Sequence, residues 1–200
     1  GNILTATGPA GDYWQAFYST AGQLISIEET SGDPDRFLRI YDGNPGDTII
    51  THMFANADPA FGTLDSGTVI VQWRWSIESA PTSGGAGAGR VEIETPLGVI
   101  LGIGIKDDGS IVYGDGVPSC TSTGCTAVPG VFQTVRVKAD MGARTFDLEI
   151  EGTPVATGRP FANAFPSAPS APPFRIFAYT RDEAALFADM TISVVPAADS

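Results

Sequence analysis

Residues 67–78, Gly-Thr-Val-Ile-Val-Gln-Trp-Arg-Trp-Ser-Ile-Glu, alternate apolar and polar side chains, with Ile70 as the exception. Val69, Val71, Trp73, Trp75 and Ile77 share one parity; Thr68, Gln72, Arg74, Ser76 and Glu78 share the other. A period of two places the first set on one face of a strand and the second on the opposite face. A strand this long and regular belongs to a layered antiparallel protein, not to the short parallel strands of an α/β fold. Trp73 and Trp75 are therefore expected in the core.

Further strands are expected over 23–29, 37–42, 48–54, 90–95, 99–106, 110–114, 131–140, 144–151, 174–180 and 186–195. Turn chemistry separates them: Gly32-Asp33-Pro34-Asp35, Asp42-Gly43-Asn44-Pro45-Gly46-Asp47, Asp107-Asp108-Gly109, Asp140-Met141-Gly142-Ala143 and Gly152-Thr153-Pro154. Strand 144–151 buries Phe146, Leu148 and Ile150, and its hairpin partner buries Val135, Val137 and Ala139. A slip of one residue would bury three carboxylates, so this pairing fixes its own register. The glycine-rich stretch from Ser83 to Gly89 reads as a flexible hairpin end, since it lacks the lysine of a phosphate loop. Residues 159–173, rich in Pro, Ala and Ser, read as a crossover loop, and Arg181–Leu186 as a single helical turn. The whole chain, 1–200, is expected to form one domain, with 1–22 packing on the sandwich or on a neighbour. It starts at Gly1, as a processed protein or a piece of a longer one would.

Hydrophobic residues make up 42% and charged residues 17%, enough apolar surface for a core and too little charge for a disordered chain. Lys and Arg total 11 against 23 Asp and Glu, a formal net charge of −12. That balance repels phosphate backbones and argues against nucleic acid as a partner. No apolar run reaches membrane-spanning length. Cys120 and Cys125 share a Ser/Thr/Gly segment and are expected to form a local disulfide, which implies an oxidising, extracellular setting.

Taken in order, the strands resemble the concanavalin A-like jelly roll, the lectin, glucanase and laminin-G type of β-sandwich. The carriers are Phe37–Asp42, Gly67–Ile77, the pair Phe132–Asp140 and Thr145–Gly152, and the closing Phe187–Val194. The resemblance implies an all-β, single antiparallel sandwich. It does not imply one activity, because this architecture hosts lectins, glycosidases, lyases and structural modules.

Glucanases of this kind set catalytic carboxylates on one face of a strand, about 5 Å apart for retaining chemistry. Glu92 and Glu94 share a face, but Pro96 stands where a third acid would fall, so a charged solvent-facing strand is expected. Lyases of this shape need a His/Tyr pair flanked by arginines. His52 is the only histidine, and no basic cluster accompanies it in sequence. No catalytic residue is assigned.

Calcium is the cofactor the acidic turns could hold as a structural ion. Asp33, Asp35, Asp42, Asn44 and Asp47 offer oxygens on turning backbone, and the resemblance adds Asp189. Turn chemistry alone explains the same residues equally well. For sugar stacking the candidates are Tyr13, Trp14 and Tyr18, which crowd the start of the chain. The expected function is a non-catalytic, extracellular glycan-binding domain. The alternative is a structural or adhesive subunit that binds copies of itself in an extracellular assembly; a glycosidase or polysaccharide lyase stands third.

Overall fold

The computed structural model describes residues 13–17, 23–29, 36–42, 49–54, 66–79, 88–95, 98–114, 120–162, 175–180 and 184–195. They form fourteen strands: β1 (Tyr13–Phe17), β2 (Gln23–Glu29), β3 (Arg36–Asp42), β4 (Ile49–Phe54), β5 (Thr68–Ile77), β6 (Ala88–Thr95) and β7 (Gly98–Ile105) in the first half. The second half supplies β8 (Ser110–Gly114), β9 (Thr121–Thr126), β10 (Gln133–Asp140), β11 (Thr145–Ile150), β12 (Thr153–Pro160), β13 (Arg175–Thr180) and β14 (Ala184–Val195). Two seven-stranded sheets result. Sheet A runs β1-β4-β13-β6-β7-β8-β9, and sheet B runs β12-β11-β10-β5-β14-β3-β2. The pairings among the described strands are antiparallel, and the fold is a jelly-roll β-sandwich.

The alternation in β5 does what its period requires. It is the middle strand of sheet B, between β10 and β14, and Val69, Val71, Trp73, Trp75 and Ile77 are all essentially sealed from solvent. The two indoles meet edge to face, with centroids 6.3 Å apart. Sheet A answers with Val91, Ile93, Leu101, Ile103, Ile105 and Ile111, and one contiguous core fills the space between the layers. The β10–β11 hairpin takes the expected register: Val137 faces Leu148, and Arg136 on the outer side pairs with Glu149 at 3.2 Å.

Local chemistry sets the turns. Glu151 (φ 51°) and Gly152 (φ 70°) are both left-handed, the two-residue arrangement that matches strand twist, and they join β11 to β12. Between β7 and β8 the Asp108 side chain accepts from the Ser110 amide at 2.8 Å, which closes the Asp-Asp-Gly turn.

Four expectations need correction. The segment from Ser83 to Gly89 does not end a hairpin: β5 belongs to sheet B and β6 to sheet A, so the chain crosses between layers here. Ala184–Leu186 opens β14 and is not helical, because these residues pair with β3 and β5. The proline-rich segment begins two residues later than expected, since Arg159 and Pro160 close β12. Finally, Cys120 and Cys125 are free thiols. Cys125 lies in β9 and packs against the core, whereas Cys120 precedes the strand and lines the opposite, outer side of sheet A. Side chains on opposite faces of one strand do not present the short Cβ separation a disulfide needs.

Sheet B also carries polar pairs on its outer face. Arg39 grips Glu78 with two bonds, at 2.5 and 2.8 Å, and holds that carboxyl below its ordinary value of 4.5. A lowered folded-state pKa contributes stability above about pH 4.5 that is lost as pH falls through the folded value. Glu78 is 41% exposed, so solvent screening limits the effect to less than about 1 kcal/mol. Arg39→Met should flatten the acid limb of a pH–stability curve by that small amount, as read from urea midpoints between neutral pH and pH values below the carboxylate range.

Candidate functional site

The outer face of sheet A gathers the polar groups that strand pairing brings together from distant parts of the sequence. In β6, Val91 and Ile93 are buried in the core, so Arg90, Glu92 and Glu94 take the other parity. A bulge between Ala88 and Val91, with Gly89 left-handed (φ 53°), sets this phase. Arg90 forms a salt bridge with Glu92 on the same face, and the two are only partly exposed.

Next to this pair the sheet has almost no side chains. Gly102 is registered with Glu92 and with Gly114, and Gly104 follows on the same face of β7. A Cβ added at Gly102 would lie 3.4 Å from Arg90 Nη2, 3.4 Å from the Glu92 side chain and 3.4 Å from the Gly114 carbonyl. Glycine here lets the Arg90–Glu92 pair lie against the neighbouring strand. Glycines in a strand interior mark places where something approaches the backbone closely. A small depression opens over this floor, rimmed by Arg90, Val112 and Cys120.

The other side of β6 continues the row. Glu92 is registered with Phe177 of β13, Phe177 with His52 of β4, and His52 with Gln15 of β1. Directly paired residues share a sheet face. One transverse row thus runs Gln15–His52–Phe177–Glu92–Gly102–Gly114 across six strands, about 24 Å at the usual strand spacing. The flanking rows place Tyr179 opposite Arg90, and Tyr13, Phe54, Arg175 and Glu94 in sequence. His52 and Glu92 are forty residues apart in the chain but separated in the sheet by the single strand β13. The sequence signal that could have joined them is the shared outward parity of their strands, but only the sheet order reveals the proximity.

The remaining candidates fall as follows. Tyr13 is registered with Phe54, whereas Trp14 is registered with Met53, in the row that continues through Ile176 to the core residue Ile93. Tyr18 lies outside the described residues, as do Asp33, Asp35, Asn44 and Asp47. Asp42 closes β3, registered with Gln23. Asp189 sits at a bulge in β14 with φ 50°, and its carboxylate pairs with Arg74 at 2.5 Å. No cluster of metal-binding side chains occurs among the described residues. Glu94, treated in sequence only as half of a same-face pair, stands opposite Arg175.

No protein-family model matches the chain, and no curated protein matches it in sequence. Solved structures do match in fold. A cellulose-induced protein, Cip1, aligns over 94% of this chain and 93% of its own, with 16% identity and a TM-score of 0.58. An alginate lyase, AlgAT5 of polysaccharide lyase family 7, aligns over 89% and 85%, with 12% identity and a TM-score of 0.56. A protein described as a sialidase gives a TM-score of 0.63 at 15% identity over 90% of this chain, which spans only 17% of that protein. At such identities the likeness is one of fold.

Proposed function

We propose that this chain is an extracellular, non-catalytic glycan-binding jelly roll, and that a neutral polysaccharide lies along the outer face of sheet A. The observation that carries the reading is the Arg90–Glu92 pair laid against the glycine floor of Gly102, Gly104 and Gly114. A paired cation and carboxylate cancel in charge yet offer several donors and acceptors, which suits sugar hydroxyls. The flat floor admits a chain close to the backbone, and aromatic residues occur in the adjoining register rows. The fold neighbours include proteins described by their action on carbohydrate, and that accords with the reading.

The test is calorimetric titration with a panel of neutral hexasaccharides. At least one should bind, and Gly102→Val, which raises a side chain through the floor, should weaken it about tenfold or more, equivalent to roughly 1.4 kcal/mol. Glu92→Gln should weaken it as well. Unchanged affinity in a folded Gly102→Val protein would refute the location, and failure of the whole panel would refute the ligand class.

A second reading is favoured by one observation: His52 stands in the Glu92 row, with Tyr179 opposite Arg90 in the next. Proton abstraction beside a sugar carboxylate needs a base, an acid and a cation in reach of one another. On this reading the chain is a polysaccharide lyase. Uronate polymers should then yield unsaturated ends detectable by ultraviolet absorbance, and His52→Ala should abolish them; no product from any uronate polymer removes the reading.

A further inference from the structure

A second concavity lies away from the outer face of sheet A, at the margin of the sandwich where β8 and β9 approach β11 and β12. Its volume is about 280 Å³, near the lower bound of the roughly 300–1,000 Å³ usual for small-molecule pockets. Leu101, Tyr113, Phe146 and Phe161 give it apolar walls, and Thr121 and Arg159 add a hydroxyl and a cation. Tyr113 and Phe146 meet edge to face at 6.0 Å, which fixes the rings of the inner wall.

The backbone is shaped to deliver Arg159 here. Between Phe146 and Leu148 the register of β11 against β12 shifts by one residue, which makes a bulge at Gly158 (φ 59°). The Gly158 amide donates to Asp147 at 2.8 Å, which pins the bulge. As a result Arg159 pairs directly with the buried Phe146 and stands at the rim of the cleft, its own side chain exposed on an edge strand. The chain then spans the two sheets: the Phe161 amide donates to the Arg144 carbonyl on the sheet B side, and the Ala162 amide to the Ile100 carbonyl of sheet A, each at 3.0 Å. Phe161 is held between them, partly buried against the core.

Among the described residues no carboxylate pairs with Arg159, and the Tyr113 hydroxyl makes no hydrogen bond. A guanidinium offers a carboxylate two parallel N–H donors. Aromatic walls suit the C–H faces of a pyranose, and the hydroxyls of Tyr113 and Thr121 suit its ring substituents. We propose that this cleft is a binding site for a single carboxylate-bearing sugar, a uronate residue at a chain end or branch. The cleft shares only Gly114 with the sheet A face, and the side chains that would select its ligand, Arg159, Tyr113, Thr121 and Phe161, belong to the cleft alone.

The test is a minimal pair of ligands, methyl glucuronoside and methyl glucoside, which differ by a carboxylate against a hydroxymethyl group. In an NMR titration of the intact chain, the uronoside should bind with Kd on the order of 1 mM, as suits a solvent-facing ion pair. The glucoside should bind at least about tenfold more weakly. Arg159→Gln should erase that preference, and Phe161→Ala should weaken the uronoside. Equal binding of the two sugars, a preference that survives Arg159→Gln, or full displacement by acetate alone would overturn the proposal.

Discussion

Trp75→Ala should destabilise the fold by about 3–5 kcal/mol, a substantial part of the 5–15 kcal/mol that holds a typical domain together. Trp75 is 1% exposed at the centre of sheet B, with Gln133 and Phe187 registered on either side and Trp73 edge-on to its ring. Truncation removes the transfer energy of the indole and leaves a void that strands tied on both sides cannot close. For a domain of this length the expected fall in Tm is roughly 6–20 °C. Trp75→Phe separates packing from polarity. The Trp73 and Trp75 indole nitrogens are buried without a hydrogen-bond partner, and an unsatisfied donor of this kind costs about 1–3 kcal/mol. The phenylalanine variant should therefore lose much less than the alanine variant. A drop in Tm as large as that of Trp75→Ala would show that the donor imposes no penalty, and a small loss in Trp75→Ala would mean that the core lies elsewhere.

Leu148→Asp should prevent folding at neutral pH. Leu148 is fully buried between Val137 and Ala156 on the flanking strands. An unpaired carboxylate in such a place costs several kcal/mol beyond the lost packing. The neighbouring Glu149→Leu is the control. Glu149 lies on the outer face, about a third exposed, and its pairing with Arg136 is worth at most about 1 kcal/mol. Circular dichroism with urea melts should show an unfolded chain for the first variant and a midpoint close to wild type for the second. A cooperative melt for Leu148→Asp would contradict the register of β10, β11 and β12.

The contrast between these adjacent residues explains how much of the fold could be read in advance. Where a strand is buried on one face only, as in β5, β10 and β11, the period-two pattern states both its existence and its inward residues. The three strands that escaped detection, β1, β9 and β12, are all sheet edges. Edge strands tolerate the residues that disguise them: Gly124 in β9, and Pro154, Gly158 and Pro160 in β12. The helical look of Arg181–Leu186 arose because Ala184, Ala185 and Leu186 have good helix propensity, which two neighbouring strands override.

Sites were less legible than strands for a different reason. Arg90 and Glu92 are neighbours in sequence, yet Gly102 and His52 join them only through the order β4-β13-β6-β7. That order depends on long crossovers that leave no periodic signature. The same holds for the cleft at Arg159, whose place opposite Phe146 comes from a bulge and not from alternation. The cysteines misled because a short spacing in a Ser/Thr/Gly segment looks like a loop, whereas hydrogen bonding to β8 draws it out as a strand.

The placement of those two thiols bears on how the molecule behaves when reducing agents are withdrawn. Cys125 is sheltered by its packing, and Cys120 has no mate within the same molecule, so an oxidant's first stable product joins two molecules. Because Cys120 borders the depression over Gly102 and Gly104, the covalent twin would hide that surface on both halves. Stored in air, a preparation would bury the depression over Gly102 and Gly104 between two molecules while every melt curve still reported an intact fold.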